Sequence, residues 1–135
     1  MNTRHVPDPE HCQELDRLCK EKGIVVPETD MYWQTYPEGE TRLVTGINSF
    51  ANPKNIHVPA PLVSEQGEWL PLLSGYDLIA SCEHRGGNWV SFYMAKRMGE
   101  NDFPMGKDLC KSETEPNARQ KMINYLIAEG IVTVL

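Results

Sequence analysis

The chain has 135 residues, 40% of them hydrophobic and 24% charged, with a formal charge of −6. That length fits a single domain over residues 1–135 with a sizeable core, and the composition argues against long disorder. Acids and bases are interleaved with no basic patch, so direct binding to duplex nucleic acid is not expected, and no apolar run reaches the roughly 18 residues of a membrane span.

The first residues, MNTRHVPDPEHC, lack the apolar core of a secretory signal, so a cytoplasmic location with reduced cysteines is expected. DPEHCQELDRLCKEKG then reads as a helix. Asp8 is a candidate cap, Pro9 suits the first helical position, and Gly23 suits the residue past the end. Cys12, Leu15, Leu18 and Cys19 form a narrow apolar face, which should pack on a sheet. On one helix Cys12 and Cys19 are about 10.5 Å apart along the axis. A disulfide needs Cα atoms within about 7 Å, so they are not a bridge.

MYWQTY (31–36) and TRLVTGI (41–47) are rich in aromatic and β-branched residues around PEGE, which predicts an antiparallel hairpin. NSFANPKN (48–55) reads as a loop, and IHV (56–58) as a short strand. In PAPLVSEQGEWLPLL (59–73) loosely helical leucines are interrupted by Gly67 and Pro71, predicting a short or irregular helix. Residues 76–84 and 88–96 form a second hairpin about Gly86-Gly87. A two-residue loop would pair His84 with Trp89; a three-residue loop shifts the register by one. The latter sorts Leu78, Ala80, Cys82, Val90, Phe92 and Met94 onto one face and is the expected register. Residues 97–113 look like loop. TEPNARQKMINYLIAEG is the clearest helix, capped by Thr114 or Ser112, and IVTVL reads as a final edge strand. The fold class is therefore α+β: an antiparallel sheet of about four to six strands with N-terminal and C-terminal helices packed against it.

Few residues carry recognisable chemistry. Cys82 and His84 share a strand face, but a reactive thiolate also needs an electropositive setting and its base an orienting group. His11, Cys12, Cys19, Cys82, His84 and Cys110 have ligand atoms without CxxC or HxxxH spacing, so no metal or cofactor is expected. GENDFPMGKD lacks the pattern of a calcium loop, and phosphate-binding and GxSxG signatures are missing. No catalytic residue is assigned. Trp33 and Trp69 should fill the core. Trp89, beside the turn with Arg85 and His84, is the candidate partner-binding group, because Trp and Arg dominate interface hot spots.

PAPLVSEQGEWLP, the GGNW hairpin and TEPNARQKMINYLIAEG together resemble a group of small uncharacterised proteins of bacteriophages, prophages and gut bacteria. The match is most specific over 59–63, 68–71 and 113–130, and departs from the group's leucine pattern over 63–67. The resemblance implies a source and a shape, not a reaction. The expected function is that of a phage or prophage accessory protein binding a host or viral protein non-enzymatically, in the host cytoplasm. The alternative is a nucleotide- or small-molecule-binding protein, or an enzyme whose site is assembled from distant residues.

Overall fold

The computed structural model describes residues 5–45, 54–70, 78–95, 102–103 and 110–135, with backbone alone at 78–81, 85, 92–95 and 102–103. Its elements are α1 (Pro9–Lys22), β1 (Met31–Thr35), β2 (Thr41–Thr45), β3 (Ile56–Pro59), α2 (Val63–Trp69), β4 (Leu78–Arg85), β5 (Asn88–Ala95), β6 (Asp102–Phe103), β7 (Lys111–Ser112) and α3 (Glu115–Ala128). This is the expected α+β class, with helices at both ends of the order. The single sheet expected is instead divided in two: β2-β1-β3, and β4-β5-β6 with β7 also on β5. Strand-forming patterns identify strands without saying which of them share a ladder. The loop expected at 48–55 lies mostly outside the described residues. That expected over 97–113 contributes β6 and β7.

α1 begins at Pro9 and ends at Gly23, whose φ of 70° closes the helix with its N–H on Cys19 O. Its buried face, Cys12, Leu15, Leu18 and Cys19, is the predicted one, but it packs chiefly on α3, with β3 a lesser neighbour. Asp8 stands at the N-cap without capping through its side chain. It reaches across the fold instead: Asn117 Nδ2 donates to Asp8 Oδ2 at 3.0 Å, and Asp8 N–H donates to Asn117 Oδ1 at 2.7 Å. A carboxylate so engaged has left its own helix for a tertiary contact.

Trp33 lies in the middle of the first sheet, paired with Leu43 on one side and Val58 on the other. It is buried, as is Trp69, both as expected. The Trp33 indole donates to Pro7 O at 2.8 Å, which fixes the segment entering α1 and satisfies its buried N–H. α2 is the short helix predicted; Glu65 accepts the N–H of Leu62 at 2.8 Å at its start.

The second hairpin corrects the expected register. Arg85 pairs with Asn88, His84 with Trp89 and Cys82 with Ser91, leaving a two-residue loop. Gly86 and Gly87 have φ of 54° and 86°, the two consecutive positive values of a type I′ turn, whose twist matches that of paired strands. Turn geometry thus outweighs the cleaner apolar sorting, and both Val90 and Ser91 are buried, so neither face of β5 at that point is a solvent face.

α3 is the centre of the molecule. Thr114 caps it, accepting the N–H of Asn117. Met122, Ile123, Leu126 and Ile127 join Leu15, Leu18, Trp69 and Cys110 in the main core. A seam of amides is buried beside them: Gln66 Nε2 donates to Pro116 O at 2.9 Å and Gln120 Oε1 at 3.1 Å. Gln120 Nε2 continues to Asn124 Oδ1 at 2.9 Å, and Asn124 Nδ2 to His11 O at 3.1 Å. The seam ties all three helices and fixes their relative rotation, because each bond needs its partner in register. The expected edge strand at 131–135 does not form. After Gly130 the chain folds back, and the N–H groups of Ile131 and Val132 both take Leu126 O. The apolar tail thus closes a helix end, with Val132 buried and Val134 exposed.

Candidate functional site

The starts of α1, α2 and α3 converge. Asn117 links Asp8 to the first turn of α3, and Gln66 holds α2 to Pro116. β7 leads within two residues into α3, and its Ser112 pairs with Trp89 of β5. That pairing sets the Trp89 indole beside the α3 start.

An open cavity of about 460 Å³ results, lined by Leu62, Val63, Trp89 and Pro116 and by the polar His5, Ser64, Glu113, Thr114 and Glu115. Trp89 is half-buried there. The exposed His84 ring meets it edge-on with centroids 5.4 Å apart, so His84 braces the indole across the strand pair. Two of the three expected partner-binding residues are therefore together. Arg85 sits at the turn by its backbone pairing with Asn88, and its side chain lies outside the described residues. Glu113, Thr114, Leu62 and Val63 were missed in the sequence, since the β5–β7 pairing brings the first two to Trp89 and the docking of α2 on α3 through Gln66 brings the others.

A second cavity of about 420 Å³ adjoins, lined by Asp8, Glu10, His11, Asn117 and Lys121 and again by Glu113 and Thr114. Asp8, Glu10 and His11 bring one ligand atom each within 4.8 Å of one another, a mixed oxygen and nitrogen set that suits a divalent cation. Burial holds His11 below the usual imidazole range, which leaves its lone pair available. Against a cation stand the positive end of α1 and the nearby Lys121 charge. Asp8 is also already occupied by Asn117.

The cysteines form no bridge. Ser91 pairs with Cys82 and donates its N–H to Cys110 O at 3.2 Å, so the two cysteines lie two strands apart. That is about 10 Å between Cα atoms, beyond disulfide reach. Cys110 Sγ instead rests 3.9 Å from Met122 Sδ in the core. Burial pushes the Cys82 thiol up to about 11 and Cys110 up to about 12, and raises Cys12 and Cys19 as well. Cys82 therefore lacks the thiolate character that a nucleophile paired with His84 would need. With a maleimide or disulfide reagent at pH 8, the native protein should react far more slowly than the unfolded chain. Cys82, the most exposed, should react first. Its rate should climb about tenfold per pH unit toward its pKa. Rapid native labelling at pH 7 would contradict this.

Among the described residues, no helix is long and apolar enough to cross a membrane. No family model matches the chain, and no curated protein or solved structure is significantly similar to it.

Proposed function

We propose that this chain is a non-enzymatic phage or prophage accessory protein that binds a host or viral protein through the groove at Trp89. The observation that carries the reading is Trp89 itself: a half-buried indole, braced by His84, forming with Leu62, Val63 and Pro116 the apolar part of an open cavity. An aromatic anchor held rigid at a concave surface loses little entropy when a partner covers it, which is how interface hot spots are built. The phage origin draws on the resemblance of 59–63, 68–71 and 113–130. A small-molecule ligand is the second reading, favoured by the more polar cavity around Asp8, His11 and Lys121.

Affinity capture from bacterial lysate by tagged wild-type and Trp89→Ala proteins tests this, with mass spectrometry of bound proteins and extracted small molecules. The wild type should retain one stoichiometric protein. The variant, folded by circular dichroism, should bind it about 30-fold more weakly, the loss of a 2 kcal/mol hot spot. Equal recovery by both proteins, or a retained metabolite with no protein, would count against the proposal.

A further inference from the structure

The two cavities share Glu113 and Thr114. Glu113 is exposed and makes no ion pair among the described residues. The charge around it decides what it faces. Helix starts are electropositive, equivalent to about half a charge each, and would draw an anion. Here Glu10 and Glu115 already occupy the first turns of α1 and α3, and Glu65 that of α2. Arg119 is bound to Glu115 at 3.0 Å. The cation in the wall, Lys121, donates its Nζ to Lys111 O at 2.7 Å. That carbonyl does not neutralise Lys121, and of the two other carboxylates lining the second cavity with Glu10, Asp8 is engaged by Asn117 while Glu113 is not. Glu113 is a carboxylate with no ion-pair partner among the described residues, with Trp89 and the Leu62–Val63 wall on one side.

We infer that this joined groove takes a basic side chain of the protein partner, an arginine or lysine whose stem lies on Trp89 and whose charged head meets Glu113. The inference rests on the binding reading above and names the chemistry of the bound segment. Long basic side chains suit such a site because they lay an aliphatic stem on apolar surface while keeping the head at its polar edge. A guanidinium over an indole adds cation–π attraction.

Selection of a random heptapeptide display library on the immobilised full chain tests it, in parallel with Trp89→Ala and Glu113→Lys. Peptides enriched on the wild type should carry Arg or Lys next to an aliphatic residue. A synthetic peptide of that sequence should bind each variant at least about tenfold more weakly, as loss of a buried partner or a charge reversal predicts. Enriched peptides that need Trp89 but are neutral or acidic would overturn the basic side chain and leave the groove standing. Basic peptides held equally by Glu113→Lys would remove Glu113 as the receptor. Peptides indifferent to Trp89→Ala, or no enrichment at all, would overturn both the inference and the groove reading.

Discussion

Leu126→Ala is expected to lower the free energy of unfolding by about 3–5 kcal/mol, a large part of the roughly 5–15 kcal/mol that holds a domain together. Leu126 is fully buried in the main core, among Leu15, Met122, Ile123 and Ile127. α1, α2 and strands of the second sheet all pack on α3. Walls fixed from several directions close poorly over a deleted side chain, so the cavity term adds to the lost transfer energy. The same residue's carbonyl receives Ile131 and Val132, which tie the tail down over it. A urea titration should show a lower midpoint with an unchanged slope. Leu43→Ala, on a strand at the edge of the first sheet and only partly buried, is the control and should cost less than about 2 kcal/mol. A loss below about 1 kcal/mol for Leu126→Ala would mean that α3 is not the central packing element.

What the sequence made legible was local. α1 was bounded by Pro9 and Gly23 because cap chemistry operates within one turn, and the hairpin at Gly86-Gly87 because only positive φ closes so tight a turn. Its register departs from the expected one for a related reason. Sorting apolar from polar presumes one dry face, and Ser91, a polar residue, is buried beside Val90. IVTVL has the composition of a strand, yet its first N–H groups go to a helix end, a choice that composition does not encode. The site shows the same division. Trp89 and His84 stood out as an aromatic and an imidazole beside a turn. Glu113 did not, since its place depends on a two-residue strand pairing Ser112 with Trp89. So short a ladder leaves no periodicity to read. The amides of α3 were hidden likewise: Asn117, Gln120 and Asn124 look like a solvent face until their partners Asp8, Gln66 and His11 are brought in from other elements.

That seam carries the second large effect. Gln120→Glu should leave stability near the wild-type value in acid and lower it steeply as pH rises. Gln120 is fully buried, accepts from Gln66 Nε2 through Oε1 and donates from Nε2 to Asn124 Oδ1. A protonated glutamic acid reproduces both bonds, its carbonyl accepting and its hydroxyl donating. The ionised form cannot donate, so it sets a carboxylate oxygen against the Asn124 carbonyl, and the groups it touches, Gln66 and Asn124, are neutral. Burial without a counter-charge raises a carboxyl pKa, by several units in the deepest cases. The folded state then holds the proton more tightly than the unfolded chain, whose glutamate titrates near 4.3. Between those two values the folded state binds more protons, so stability falls with rising pH, then levels off above the folded pKa. A rise of about three units corresponds to a loss of ~4 kcal/mol. Gln120→Leu separates this from simple loss of the bonds. It strands Asn124 Oδ1 at every pH and should cost about 1–3 kcal/mol with no pH dependence beyond that of the wild type. Urea midpoints from pH 4 to pH 9 for the three proteins would decide the matter. A Gln120→Glu curve running parallel to the wild type would mean that water or a shifted helix reaches the carboxylate, and that the seam is not the rigid tie between helices that its geometry describes.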